Sequence, residues 1–164
     1  MRRVKAFVLS YIILIGLWMI VGGTQPDEMI VGAITAFIIS LVFAPRFALL
    51  GSIRLSPKAL FATIMFIIVF SVELVKGAID VAGRVISPSL PINPGIVKVR
   101  TRLQSDVGRI ALANAITMTP GTMTVETNGE FFYIHWIDIK SEDIDAATAA
   151  IVTIFERHLE VMFG

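Results

Sequence analysis

The sequence has no cysteine and few charged residues. The absence of cysteine in all 164 residues excludes disulfides, thiolate metal sites, cysteine-held iron–sulfur clusters and thiol catalysis. Charged residues make up 16 % of the chain, against about 25 % in soluble globular proteins. The formal net charge of +1 gives no general attraction to nucleic acid or to anionic surfaces. The positions of the few charges are therefore the informative feature.

Three stretches have no charged residue at all, namely Ala6–Pro26, Met29–Pro45 and Ala59–Val72. A helix that spans a bilayer needs about 20 mostly apolar residues, within a range of about 17–25. The pattern predicts membrane helices at about residues 6–23, 28–45 and 59–86. We therefore expect residues 1–86 to form a membrane α-helical half with two to three helices.

The second predicted helix carries a stripe of small residues. Gly32, Ala36, Ser40 and Ala44 recur every four residues and leave one helix face almost without side chain. In lipid such a face lets another helix backbone approach closely, so the stripe predicts helix packing. Small residues are also common in membrane helices in general, and the sequence leaves both interpretations open.

The third predicted helix ends in a charged ladder, by which we mean Glu73, Lys76, Asp80 and Arg84. At 100° per residue these four fall within an arc of about 80°. One hypothesis makes Glu73 or Asp80 part of a proton or cation path, because ionisable groups at membrane depth are costly and usually functional. The other lets the helix leave the bilayer near Val72 and makes the ladder a solvated or docking surface, which the alternating signs favour.

The charge distribution also bears on topology. The positive-inside rule places the amino terminus and the 45–58 loop in the cytoplasm, because basic residues gather there and acids gather in the loop between them. A complete third crossing would then put the remaining domain outside. A third helix that only enters the interface, or that partners hold, would keep it inside. The basic residues are Arg2, Arg3, Lys5, Arg46, Arg54 and Lys58, and the acids are Asp27 and Glu28.

Residues 87–95 form a proline-rich linker, and residues 96–164 are typical of a small soluble α/β domain. Strands are predicted at 96–101, 123–127 and 131–139, and helices begin at Ser105 and Ser141. The order β-α-β-β-α predicts a three-stranded mixed sheet, with a parallel crossover followed by a hairpin and both helices on one face. The other face, with the aromatic residues of 131–136, is expected to pack on something else.

The sequence offers little catalytic chemistry. His135 and His158 are 23 residues apart and lack the spacing of a zinc pair. Acids near the last helix are typical partners of a helix N-terminus rather than of a metal. We predict no catalytic, cofactor-binding or metal-binding residue. These acids are Asp138, Glu142, Asp143 and Asp145.

One segment is much more specific than the rest. Residues 113–125, Ala-Asn-Ala-Ile-Thr-Met-Thr-Pro-Gly-Thr-Met-Thr-Val, closely resemble the hallmark of the E subunits of the Mrp-type multisubunit cation/proton antiporters. Met118 and Met123 stand where that family has leucine, and Trp136 departs from a smaller residue. The residues that carry the resemblance, with a structural role, are Asn114, Thr117, Thr119, Pro120, Gly121 and Thr122.

The resemblance implies a role without a reaction. Members of this family are accessory subunits that support assembly and Na⁺/H⁺ antiport, while neighbouring subunits move the ions. The same module occurs in membrane-bound hydrogenase and sulfur-reductase respiratory complexes, which couple redox chemistry to H⁺ or Na⁺ translocation. It implies other membrane subunits and lipid as partners, with no cofactor, nucleic acid or small-molecule substrate. The implied location is the plasma membrane, multi-pass, with the soluble domain in the cytoplasm, and the host complex and the ion stay open.

Overall fold

Three long apolar helices occupy the first half of the chain, as the charge-free stretches predict. In the computed structural model they are α1 (Arg2–Val21), α2 (Pro26–Phe43) and α3 (Pro57–Ile86). All three are long and apolar enough to cross a membrane. The structure describes residues 2–43, 54 and 56–164. Chain contacts divide it into two compact units, Met1–Ile53 and Arg54–Gly164.

The first unit is a pair of antiparallel helices. The ring of Phe7 on α1 meets Phe37 on α2 edge-on at 5.6 Å between centroids, and Trp18 lies against Gly32. At the start of α2, Pro26 takes the first helical position and Glu28 accepts a hydrogen bond from the Gln25 backbone N–H at 3.1 Å. Proline and acids suit a helix N-terminus, which explains why the chain turns here.

The second unit begins with α3 and continues into an α/β domain. Ser56 caps α3 by accepting a hydrogen bond from the Ala59 N–H at 3.1 Å. The remaining elements follow in the predicted order β-α-β-β-α, except that the last helical stretch is divided into two helices. They are β1 (Gly95–Arg100), α4 (Asp106–Met118), β2 (Thr122–Asn128), β3 (Phe131–Trp136), α5 (Ile144–Ile151) and α6 (Thr153–Phe163).

The expectation of a mixed sheet is wrong. The strand order is β1-β3-β2, and β3 pairs antiparallel with both neighbours. The crossover through α4 does leave β1 and β2 parallel to each other, but they do not touch because β3 lies between them. The strand richest in aromatic residues thus takes the central position, where both of its edges are paired.

The core lies between the sheet and the helices of the α/β domain. Val99 and Phe132 from the sheet, Leu112 from α4 and Leu159 from α6 are all fully buried in one cluster. Phe132 therefore faces inward, whereas the sequence interpretation placed all the aromatics of 131–136 on the uncovered face. Alternation along a strand sends successive side chains to opposite faces, which is why a continuous aromatic run cannot stay on one.

The last helix also differs from the prediction. It begins after Asp143, which accepts a hydrogen bond from the Ala146 N–H at 2.9 Å, and not at Ser141. It is interrupted at Val152, which separates α5 from α6. The break lets α5 lie along β1, where the Thr148 hydroxyl accepts a hydrogen bond from the Arg100 N–H at 3.0 Å.

Helix α3 packs on the α/β domain. Phe66 and Phe70 both lie against Phe155 of α6, at 6.2 and 6.4 Å between ring centroids. Helix α3 and the α/β domain accordingly belong to one compact unit, and α1 and α2 belong to the other.

Candidate functional site

The charged ladder of α3 forms two ion pairs within the helix. Lys76 Nζ is 2.7 Å from Glu73 Oε1, and Arg84 Nε is 2.7 Å from Asp80 Oδ2. Their spacings of three and four residues put each pair on adjacent turns of the helix. Each carboxylate of the ladder thus has a cationic partner on its own helix.

Arg84 also ties the end of α3 to the end of β3. Its Nη1 lies 2.9 Å from Asp138 Oδ2, and its side chain is only 13 % exposed. Lys140 bonds the same carboxylate. The hydrogen bond from Lys140, and then that from Arg84, hold the pKa of Asp138 below its usual value. Through Arg84 and Asp138 the charged ladder is therefore bonded to the α/β domain.

A second link between α3 and the domain is made by the motif turn, by which we mean Thr119–Thr122. Gly121 has φ +93°, a left-handed conformation that glycine adopts without steric cost. A Cβ built on Gly77 of α3 would lie 2.9 Å from the Pro120 carbonyl oxygen and 3.1 Å from Pro120 Cδ. Gly77 thus provides the space in which Pro120 sits.

The threonines of the motif turn close it by hydrogen bonds. The Thr122 hydroxyl is 2.7 Å from the Ile116 carbonyl and 3.0 Å from the Thr119 carbonyl. The Thr119 hydroxyl donates to the Ala115 carbonyl at 2.9 Å. These bonds satisfy carbonyls at the end of α4, which a helix leaves without partners. The motif turn is thus closed by hydrogen bonds on the side of α4 and packs against α3 at Gly77.

The remaining motif residues lie on the outer side of α4. Asn114 and Thr117 are both exposed. The Thr117 hydroxyl accepts a hydrogen bond from the Thr124 N–H at 3.1 Å, which joins α4 to β2. The motif thus contains threonines that hydrogen-bond within the domain and one exposed amide side chain, that of Asn114.

The small-residue stripe of α2 faces α1 within the first unit. Gly32, Ala36 and Ser40 are buried, and a Cβ on Gly32 would lie 2.5 Å from the Trp18 ring. Ala44, the fourth residue of the predicted stripe, lies outside the described residues. The described part of the stripe thus has a partner helix inside the chain itself.

Sequence reasoning missed one buried polar site in the domain. Glu156 is 3 % exposed, and it accepts hydrogen bonds from the Thr101 hydroxyl and, at 2.7 Å, from the Arg102 N–H. The Glu156 carboxylate thus binds the two residues that directly follow β1, Thr101 and Arg102. A single acid in the amphipathic pattern of α6 gives no signal that it points inward.

The predicted histidines lie apart. His135 is on β3, paired in register with Ile96 and Met123, and His158 is on α6. Burial, and then the charge of Arg157, lower the pKa of His158. Across residues 2–43, 54 and 56–164, no three His, Asp or Glu side chains come together as metal ligands.

Comparison with known proteins gives a consistent picture. The model of the family described as Na⁺/H⁺ ion antiporter subunit matches residues 11–162. The E subunit of the Na(+)/H(+) antiporter of Alkalihalophilus pseudofirmus is 38 % identical over 88 residues, which cover 52 % of this chain and 56 % of that protein. The E1 subunit of the Na(+)/H(+) antiporter of Staphylococcus aureus strain RF122 / ET3-1 is 29 % identical, over 94 % of this chain and 97 % of that protein.

A solved structure matches the fold over nearly the whole chain. A chain of the membrane-bound sulfane sulfur reductase, an archaeal respiratory membrane complex, aligns with a TM-score of 0.85 and 37 % identity. The alignment covers 97 % of this chain and 99 % of that chain. The three long helices and the small α/β domain therefore occur together in both proteins.

Proposed function

We propose that this chain, which belongs to the family of Na⁺/H⁺ ion antiporter subunits, is an accessory subunit of an Mrp-type Na⁺/H⁺ antiporter module in the plasma membrane. The family match over residues 11–162 carries the proposal, because it covers all the elements of the fold except the start of α1 and the last residue of α6. The chain supports assembly and ion transport by neighbouring membrane subunits. By itself it catalyses no reaction.

The geometry of the ladder supports this role. Glu73 and Asp80 each lie 2.7 Å from a cation of the same helix, so neither is held ready to bind a passing Na⁺. A carboxylate on an ion path must exchange its partner at every cycle, whereas Glu73, Asp80 and Asp138 each already have a basic partner within 2.9 Å. The ladder therefore braces α3 and presents a docking edge to the assembly.

Charge-removing variants distinguish a structural role of the ladder from a role in the ion path. Glu73→Gln and Asp80→Asn keep the shape of each side chain and remove its charge. Bracing predicts that any loss of antiport follows a loss of the chain from the purified complex. A variant that stays fully assembled and yet slows Na⁺/H⁺ exchange would assign that carboxylate to the ion path. Glu126→Gln, an exposed position on β2, serves as the control for charge removal in general.

A second host is favoured by a specific observation. The match to the sulfur-reductase chain has 37 % identity over 97 % of this chain, whereas the 38 % identity to the Alkalihalophilus antiporter subunit covers 52 % of it and the staphylococcal match over 94 % has 29 %. The same subunit would then belong to a respiratory complex that couples redox chemistry to H⁺ or Na⁺ translocation. Purification of the tagged chain in mild detergent, followed by mass spectrometry of its partners, distinguishes the two hosts. Antiporter-like subunits alone indicate the first host, and iron–sulfur or nickel–iron proteins indicate the second; a chain that purifies without partners would contradict both.

A further inference from the structure

Helix α3 has an uncharged outer face along its whole length. The outer face consists of the side chains that point away from α6 and the motif turn, and it runs from Leu60 to Ile86, about 39 Å at 1.5 Å per residue. Its large side chains are mostly half-exposed or more, and a soluble protein rarely leaves so large an apolar surface uncovered. These side chains are Leu60, Phe61, Ile64, Ile67, Ile68, Val72, Val75, Ile79, Val85 and Ile86.

The opposite side of α3 is covered by the α/β domain along its whole length. Its first half lies on α6, through Phe66 and Phe70, and its second half lies on the motif turn and on Asp138. Helix α6 has four ionisable residues that lie close to α3 in this arrangement. They are Glu156, Arg157, His158 and Glu160. If α3 crossed the bilayer, these groups would lie beside its apolar half at hydrocarbon depth, where ionisable side chains are strongly disfavoured.

Basic side chains border the outer face. Lys58 and Lys76 are 18 residues apart, which is five turns of helix, so they project in the same direction. Both are exposed, and no acid lies on the outer face itself. Lysines at the edge of an apolar helix face reach the level of the lipid headgroups while their methylene stems stay in the apolar layer. Lys58 can do so alone, and Lys76 does so together with its partner Glu73.

The apolar surface continues from α3 onto α6. A groove of about 550 Å³ lies between the two helices, with Phe61, Met65 and Val161 in its wall and Lys58 and His158 at its rim. The apolar surface of α3 therefore extends onto α6, and no Asp or Glu side chain of the described residues lines the groove.

We propose that α3 does not cross the bilayer but lies in the plane of the membrane surface on the side of the amino terminus, with its outer face in the lipid. The α/β domain, which packs on the opposite side of α3, then lies above the headgroups. This placement removes the conflict between three apolar helices and a domain on the cytoplasmic side. It holds whichever host complex contains the chain.

The composition of the outer face favours lipid over a protein partner. Helices that pack together in membranes use small residues, as α2 does with Gly32, Ala36 and Ser40. The outer face of α3 carries large apolar side chains at most positions, and its small residues are Ser71, Ala78 and Ala82, with Gly83 at its edge. A smooth aliphatic face bordered by lysine suits a lipid surface.

The absence of cysteine makes the proposal directly testable in the full chain in its native membrane. Gln25→Cys lies in the loop between α1 and α2, and Ser89→Cys follows α3; each is labelled with an impermeant maleimide in sealed vesicles of known orientation. We expect the two positions to label from opposite sides. Labelling from the same side would mean that α3 crosses and would overturn the proposal. Asn128→Cys, in the exposed hairpin, repeats the test at an independent position.

Depth then distinguishes lipid from a protein partner. Nitroxide labels at Ile64, Val75 and Val85 of α3 are compared with labels at Ile30, Ile34 and Ile38 of α2 for their collisions with oxygen and with a water-soluble nickel chelate. An in-plane helix predicts the same shallow depth at all three α3 positions, while the α2 positions change steadily in depth. A depth that changes along α3, or α3 labels shielded from both reagents as in a protein interface, would contradict the proposal.

Discussion

Adding one methyl group at Gly77 should weaken the contact between α3 and the motif turn. The new Cβ would lie 2.9 Å from the Pro120 carbonyl oxygen and 3.1 Å from Pro120 Cδ, closer than side-chain carbons normally approach. The turn cannot easily move away, because the Thr122 hydroxyl holds it to the Ile116 and Thr119 carbonyls. Overpacking of this kind costs about 1–3 kcal/mol.

Gly83 provides the matched control on the same helix. A Cβ there would meet nothing within 4 Å. Alanine in a helix interior is favoured over glycine by about 0.5–1 kcal/mol, so Gly83→Ala should stabilise the protein by about that amount. Gly77→Ala receives the same benefit and loses more to the clash, so it should destabilise the protein by about 0.5–2 kcal/mol.

Thermal unfolding of the purified chain in detergent measures the difference. The fluorescence of Trp136, which pairs with Thr122 beside the motif turn, reports the domain in a Trp18→Phe background. One kcal/mol moves the melting temperature by about 2–4 °C in a chain of this size. We expect Gly83→Ala to melt a few degrees higher and Gly77→Ala a few degrees lower than the parent. Equal stabilisation by both would refute the contact between α3 and the motif turn.

Three further predictions concern the α/β domain. Glu156→Ala should cost about 3 kcal/mol in denaturant unfolding, because it leaves the buried Thr101 hydroxyl without its acceptor, while Glu160→Ala should change little. Thr122→Val should cost about 1–2 kcal/mol in the same assay by removing the hydroxyl that closes the motif turn. His158 has a lowered pKa in the folded state, so the unfolded chain takes up the proton first as the pH falls through about 6.5. Stability should therefore decrease from about pH 7 towards pH 5, and His158→Gln should remove that part of the decrease; an unchanged slope in this variant would contradict the assignment.

Much of the fold could be predicted because local patterns determine it. Runs without charge predict α1 and α2, and the three predicted strands correspond to β1, β2 and β3. Ser105 caps α4 as predicted, by accepting a hydrogen bond from the Gly108 N–H. These features depend on residues a few positions apart, which is the range over which backbone preference and capping act.

Strand order and the inward-facing residues were harder to predict. The connection β1-α4-β2 is compatible with adjacent parallel strands, and only the insertion of β3 between them makes the sheet antiparallel. The strongly apolar sequence of β3 suits a central strand, but hydropathy alone does not assign its neighbours. Phe131 and Phe132 look alike in sequence, yet Phe132 alone is fully buried.

The contacts that join α3 to the domain gave almost no sequence signal. Gly77 and Pro120 are 43 residues apart, and a glycine that makes room for a partner has no side chain to reveal the contact. Arg84 was singled out with its helix neighbours, but its bond to Asp138 depends on how β3 ends beside α3. Such contacts follow from tertiary packing and appear only in the structure.

The central claim is that this chain braces an antiporter assembly whose other subunits move the ions. The most direct test reconstitutes three preparations in proteoliposomes, the full complex, the complex purified from cells that lack this chain, and the chain alone, and measures Na⁺-driven H⁺ movement with a fluorescent pH probe. We expect exchange by the full complex, little or none from the preparation without the chain, and none from the chain alone. Na⁺/H⁺ exchange by the chain alone, or full exchange by an intact complex without it, would contradict the account.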